Sequence, residues 1–397
     1  MFELKGKYSR AKVFTDYLEP AAVNQIVNFL SEPHMAGSKI RIMPDAHKGA
    51  GATIGTTMTI LDTVVPNLVG VDIGCGLSVA IIKKSAKDIS FEKLDRVIRE
   101  HIPSGRDIHS VEKINSRNIK VPFIDVKAPF NLERAILSLG TLGGGNHFIE
   151  LNEYDDEHVA LVVHSGSRGF GKDIATYYQK RAYKELSSNQ RVRSQLIERL
   201  NKEGREKDIQ SELKKLPSIK FSRDLAYLEG DSFDDYLNDM DIAVFYADQN
   251  REEILMNIMK HMNWEPVDSF SSIHNFIDSR KRILRKGAVP AEEGHRLIIP
   301  INMRDGSIIA RGKGNPDWNY SAPHGAGRVL SRSKAKELVD FKEYKESMKG
   351  IWTSSVDEST IDESPMAYKP MDEILKYIGE TVEIERIMKP LYNFKAH

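Results

Sequence analysis

A single cysteine, Cys75, stands in 397 residues. That excludes an internal disulfide and any disulfide-stapled secreted scaffold, and it leaves one free thiol to be accounted for. Charge of neither sign is in surplus, since 57 Lys and Arg balance 57 Asp and Glu. With a formal net charge of zero the whole molecule has no electrostatic attraction to nucleic acid or membrane, so any polyanion site has to be local. Aromatic residues make up only 8%, which argues against a plain RNA-binding module built on basic and aromatic patches. No apolar run reaches the roughly eighteen residues of a membrane span, and Met1-Phe2-Glu3-Leu4-Lys5-Gly6 lacks the charged-then-apolar order of a signal peptide. A cytoplasmic, reducing home is expected, in which a thiolate stays free for metal.

What is present is a globular composition, with 40% hydrophobic and 29% charged residues. The length is large for one core and small for three. The expected fold is mixed α/β: one compact body over residues 1–397, with mixed sheets, active-site loops at strand ends and surrounding helices. The pattern predicts helices over Pro20 to Leu30, Phe91 to His101 and around Leu132 to Leu139. From Lys172 to Lys215 charges of both signs mix at helical spacing and glycine nearly vanishes. From Asp235 to Met262, Leu237, Met240, Ala243, Val244 and Ala247 share one face of a buried helix. Together 172–262 reads as a helical insertion packed outside the sheets.

The candidate chemistry lies where apolar strands run into glycine. In Val69-Gly70-Val71-Asp72-Ile73-Gly74-Cys75-Gly76 the alternation of a strand and the bend of a glycine let Asp72 and Cys75 converge. A carboxylate beside a thiolate suits zinc, manganese or iron better than magnesium or calcium. A buried cysteine packed beside a turn aspartate is the plain alternative. Asp45 and His47 lie two apart on an extended stretch, and Gly143-Gly144-Gly145-Asn146-His147 precedes another strand. Val159 to Val163 runs into His164-Ser165-Gly166-Ser167-Arg168-Gly169. Each of these three histidines ends or begins a strand beside glycine, where α/β sheets place ligands. Ser272-Ile273-His274-Asn275 adds a further histidine. In Pro323-His324-Gly325-Ala326-Gly327-Arg328 the glycines admit a bulky group, with Arg328 and Arg332 four apart as a phosphate clamp; His324 there is a ligand or a nucleophile.

As a set these motifs resemble the RtcB-type RNA ligases over nearly the whole chain. The resemblance rests on Val-Asp-Ile-Gly-Cys-Gly at 71–76, Gly-Gly-Gly-Asn-His-Phe at 143–148, His-Ser-Gly-Ser-Arg-Gly at 164–169, His-Asn at 274–275 and His-Gly-Ala-Gly-Arg at 324–328. It implies two manganese ions, one held by Asp72, Cys75 and His147 and the other by Cys75, His164 and His274, with the thiolate bridging. It implies GTP contacts at Asn146, His147, Phe148, Ile149 and Glu150, at His274 and Asn275, and at Pro300, Ile301, Asn302, Met303 and Ser307. Further GTP contacts would come from His324, Gly325, Ala326, Gly327 and Lys395. It implies that GMP attached to His324 passes to an RNA 3′-phosphate, after any 2′,3′-cyclic phosphate is opened, and that a 5′-hydroxyl then displaces it, in RNA repair or tRNA splicing. Asp45 is expected beside the metals or on the 5′-hydroxyl, so that Asp45→Ala harms sealing more than guanylylation. Ile299-Pro300-Ile301-Asn302-Met303-Arg304 departs from the family's Ile-Pro-Gly-Ser-Met-Gly and resembles a divergent bacterial branch linked to a release-factor-like protein. A monomer is expected. A metal-dependent phosphoesterase or cyclic phosphodiesterase would use the same donors, but gives no reason for the loop around His324.

Overall fold

The structure is a computed structural model that describes residues 1–49, 51–110, 119–188, 190–216 and 221–396. Two mixed sheets form its frame. The first runs, neighbour to neighbour, through Phe2–Lys5, Arg10–Val13, Ile40–His47, Ile54–Thr59, Ile283–Lys286 and Asn275–Asp278. The second runs through Pro266–Ile273, Gly76–Ile82, Val159–Ser165, Phe148–Glu153, Val382–Lys395, Gly306–Gly312 and Arg296–Asn302, with Trp352–Thr353 paired parallel to Val382–Lys395.

Gly76–Ile82 and Val159–Ser165 are buried at every position, as largely apolar central strands are, with Ser78, His164 and Ser165 buried among them. One face of the second sheet, with Ala80, Ile82, Leu151, Leu161 and Val163, packs beneath the helices Phe91–His101 and Asp231–Met262. Its other face packs on its own far strands, bringing Leu77, Val79 and Val162 against Ile298, Ile309 and Met388. The sheet folds back this way because the fourteen-residue strand Val382–Lys395 carries register shifts opposite Ile309/Ala310 and at Pro390/Tyr392. Such irregularities bend and twist a strand.

The helix Pro20–Leu30 forms as its periodicity predicts, burying Ala22, Ile26, Phe29 and Leu30. The charged segment 172–262 departs from the expectation that all of it packs outside. Gln190–Lys202 and Ile209–Lys215 are mostly solvated, whereas Asp231–Met262 is a 32-residue helix set into the body. The reason is polar. Arg251, fully buried, donates from Nη1 to the carbonyls of Gly74 (2.8 Å) and Ser165 (3.0 Å). Asn250 accepts from Gly140 N (2.7 Å) and donates to Gly166 O (3.2 Å). One helix turn thereby ties down three of the glycine-rich loops singled out above. Arg251→Leu strands those carbonyls without a donor, and we expect it to lower unfolding stability by about 2–4 kcal/mol in urea denaturation. A loss under about 0.5 kcal/mol, the range of ordinary surface changes, would contradict this role.

Candidate active site

Three strand ends and one crossing point between the sheets meet at the loop 72–75. His274 is the single residue between Pro266–Ile273 of one sheet and Asn275–Asp278 of the other. Its N–H donates to Cys75 O (2.9 Å), while Gly74 N donates to Asn275 O (2.7 Å), so the loop and the crossing hold each other. His164 ends Val159–Ser165, and His147 precedes Phe148–Glu153, its cross-strand neighbour.

Cys75 Sγ lies 3.5 Å from His147 Nε2 and 3.3 Å from His164 Nε2. His147 Nε2 is 3.0 Å from Asp72 Oδ2, and His164 Nε2 is 3.4 Å from His274 Nε2. Two triads result, Asp72/Cys75/His147 and Cys75/His164/His274, each with its donor atoms within 4.8 Å of one another and sharing Sγ. Backbone carbonyls fix two of the rings: His147 Nδ1 donates to Leu142 O (2.9 Å) and His164 Nδ1 to Asn146 O (3.2 Å). His147 Nε2 therefore turns its lone pair toward a carboxylate and a sulfur, and His164 Nε2 toward a sulfur and another imidazole. A cation satisfies that arrangement, and the mix of carboxylate, imidazole and thiolate fits a borderline divalent ion. Burial holds His164 and His274 well below the usual imidazole range, which keeps them neutral. Burial also pushes the Cys75 thiol up, reinforced by Asp72. Burial would raise the Asp72 carboxyl as well, but His147 beside it brings it down to about 2. Gly166 is required here by contact, because a Cβ at that position would overlap the Asp72 carboxylate.

Beyond His274 the ring of His324 follows, with centroids 4.8 Å apart. His324 Nδ1 donates to Asp45 Oδ2 at 2.6 Å, and Gly325 N approaches the same oxygen at 3.3 Å. Asp45 is fully buried and its Oδ1 has no partner. Gly327 takes φ +76°, and a Cβ there would run into the Asp45 backbone, so the loop carrying His324 closes over Asp45 only with glycine at that place. Asp45 therefore contacts His324 directly.

His324 opens on a cavity of about 310 Å³. His47, Asn146, Phe148, Glu150 and His164 line one side, and Pro300, Ile301, Asn302 and Met303 another. Gly325, Ala326, Gly327, Arg328, Arg332 and Lys395 complete it among the residues anticipated from the sequence. Ile149 turns the other way, into the core with Leu151 and Val163, as alternation along its strand demands. His147 and His274 belong to the metal triads and do not line the cavity; Asn275 braces the loops, receiving Gly287 N at 2.9 Å, and Ser307 is buried outside it.

The arginine pair departs from a free clamp. Arg328 donates to Glu363 (3.3 Å) and Tyr368 Oη (3.0 Å), and Arg332 meets Glu363 at 3.1 Å. Lys395 Nζ bonds the same carboxylate at 2.8 Å. Burial opposes the charge on Glu363, yet Lys395 and Arg332 hold its carboxyl down to about 2. Glu363, Tyr368 and Asn393 line the cavity and were not found from the sequence; they sit in stretches with neither glycine-rich turns nor histidine.

Fold and site together define an α/β protein with two metal-competent triads that reach a cavity of about 310 Å³ through His164. The chain belongs to the RtcB family: the profile described as "tRNA-splicing ligase RtcB" matches residues 25–128 and 125–396. It is 31% identical over 404 residues to the RNA-splicing ligase RtcB of Escherichia coli (strain K12), covering 92% of each chain. It is 25% identical to RNA-splicing ligase RtcB2 of another Escherichia coli strain, covering 98% of each. To the tRNA-splicing ligase RtcB of Aeropyrum pernix it is 26% identical, covering 88% of this chain and 86% of that one. No helix among the described residues is long and apolar enough to cross a membrane.

Proposed function

We propose that this protein is a GTP- and manganese-dependent RNA ligase that joins RNA 3′-phosphate or 2′,3′-cyclic phosphate ends to 5′-hydroxyl ends through a guanylylated His324. The observation that carries the reading is the short Asp45–His324 contact at the cavity. With Nδ1–H held by the carboxylate, the lone pair of Nε2 is the free one, as a phosphoryl-accepting imidazole needs. The His324 Nε2 attacks the α-phosphorus of GTP; an N–P bond forms, the bond to the β-phosphate oxygen breaks and pyrophosphate leaves. Asp45 stabilises the imidazolium that develops. An oxygen of the RNA 3′-phosphate then displaces His324 from the α-phosphorus, giving RNA-(3′)pp(5′)G. Finally the 5′-hydroxyl attacks the 3′-phosphorus and expels GMP. A cyclic end must first be opened by water.

Asp72, Cys75 and His147 would hold one divalent ion and Cys75, His164 and His274 the other; bound there, the ions supply Lewis-acid neutralisation of phosphate charge. The chain's own cations add to this. Arg328 and Arg332 exchange the Glu363 carboxylate for phosphate oxygens, a substitution of like for like.

Asp45→Asn keeps the shape of the contact but no longer fixes the proton on Nδ1. Guanylylation is expected to slow by about 10²–10⁴-fold, while sealing of preformed RNA-(3′)pp(5′)G falls less. Single-turnover labelling with α-labelled GTP and sealing of the preformed intermediate measure the two steps; equal losses would remove Asp45 from this role. The reading as a whole is tested with an RNA bearing a 2′,3′-cyclic phosphate and a separate 5′-hydroxyl RNA. Ligated product that requires GTP supports it. Removal or opening of the terminal phosphate without joining and without need of GTP would make the protein a phosphoesterase.

A further inference from the structure

Glu150 and Asn393 face each other across the pairing of Phe148–Glu153 with Val382–Lys395. Asn393 Nδ2 donates to Glu150 Oε2 (2.8 Å) and Asn152 Nδ2 to Glu150 Oε1 (3.0 Å). Both amides thus spend N–H groups on the carboxylate. Their oxygens, Asn393 Oδ1 and Asn152 Oδ1, are buried without partners. Of the two asparagines only Asn393 lines the cavity, beside Glu150. Burial pushes the Glu150 carboxyl up to about 7, and above that pH this stretch of wall offers acceptors alone. Burial without a partner costs a carbonyl oxygen dearly, so such a group marks a place where a ligand donor belongs. The nearest cation, Lys395 Nζ, is held by Glu363 and lies over the Phe148 ring, 5.4 Å from its centroid.

Among nucleobases the one that matches an acceptor-only wall is guanine. Its N1–H and 2-amino group present three hydrogens on one edge, whereas adenine turns the N1 lone pair to the wall and uracil has a single N–H. Glu150 can receive N1–H and one hydrogen of the amine, which leaves the second amine hydrogen. We propose that Asn393 Oδ1 accepts that hydrogen, making Asn393 a specificity-determining residue that reads the 2-amino group of the purine. The inference rests on the ligase reading for its substrate. The nucleotide with N1–H but no 2-amino group is inosine triphosphate; it gives up the Asn393 contact together with one hydrogen bond to Glu150, so the Asn393 share is read from how a substitution at Asn393 changes the GTP/ITP ratio.

Calorimetric titration of the protein with GTP and with ITP, both with manganese present, gives the test. Wild-type protein should bind GTP about 10- to 100-fold more tightly than ITP, the cost of leaving Asn393 Oδ1 empty and one Glu150 hydrogen bond unmade. Asn393→Leu should weaken GTP more than ITP and so cut the GTP/ITP ratio by about threefold or more, the part owed to Glu150 remaining, and Asn393→Ser, a smaller change, serves if the leucine variant does not fold. Equal weakening of both nucleotides would mean that Asn393 only holds Glu150, and would overturn the proposal. Wild-type protein that fails to distinguish GTP from ITP, or binds neither, overturns it without any variant. The ligase reading fails separately: GTP bound in preference to ITP but never transferred to the protein would sink guanylylation and leave the base contact standing.

Discussion

His324→Ala protein should bind its metals in full and take up no GMP from α-labelled GTP, a fall of at least about 10⁴-fold in labelling. The magnitude follows from what the other histidines are doing. His147, His164 and His274 each turn Nε2 into the metal-competent triads, within 4.8 Å of the other donors. A ring nitrogen spent on a cation has no lone pair for phosphorus. His324 alone among these four pairs Nδ1 with a carboxylate and lies on the cavity side with Nε2 uncommitted. If His324 merely bonded a phosphate, its loss would weaken GTP binding and leave some label. Metal analysis and labelling on the same preparation separate the two.

Cys75→Ala or Cys75→Ser should lose both bound metals and nucleotidyl transfer together, while circular dichroism and the unfolding midpoint remain near those of the wild type. The sulfur belongs to both triads, so removing it takes one donor from each. A serine hydroxyl is too weakly acidic to replace a thiolate at a borderline ion. The structural cost is small by comparison, since Cys75 packs as a minor apolar group and the loop's hydrogen bonds run through its backbone, to His274 among others. Full manganese stoichiometry with normal ligation in either variant would reduce Cys75 to core packing.

The metal-competent residues were legible because each follows one physical rule. A strand of apolar residues ends, glycine lets the chain turn, and a donor side chain is left at the edge, as at Asp72–Cys75, His147 and His164. His274 was legible as a residue type but not as a place. Nothing in Ser272-Ile273-His274-Asn275 says that the chain leaves one sheet for another at that histidine. Asp45 illustrates the same limit: its spacing to His47 was visible, but its partner lies 279 residues away. The role of Asp231–Met262 was obscured by its charges. Arg251 reads as one more solvated cation in sequence, and only the topology sets it against the carbonyls of Gly74 and Ser165. Glu363 sits in a run of acidic and hydroxyl residues indistinguishable from a surface loop until Arg328, Arg332 and Lys395 are seen to share it. Asn393 lies in a strand whose cross-strand partner, Glu150, is set by bulged pairing that no local pattern records.

The central claim is that GMP becomes bonded to one nitrogen of one side chain. Its most direct measurement is to trap wild-type protein with α-labelled GTP and manganese, digest it, and locate the adduct by mass spectrometry with acid and base treatment of the labelled peptide. GMP is expected on His324, lost in acid and stable in base as a phosphoramidate of imidazole. Lysines offer the rival nucleophile: Lys286 is pushed down to about 8 by burial, and the Lys313 Nζ donates to Gly379 O (2.6 Å). GMP found on Lys286, Lys313 or Lys395 would instead make this a lysine-nucleophile ligase.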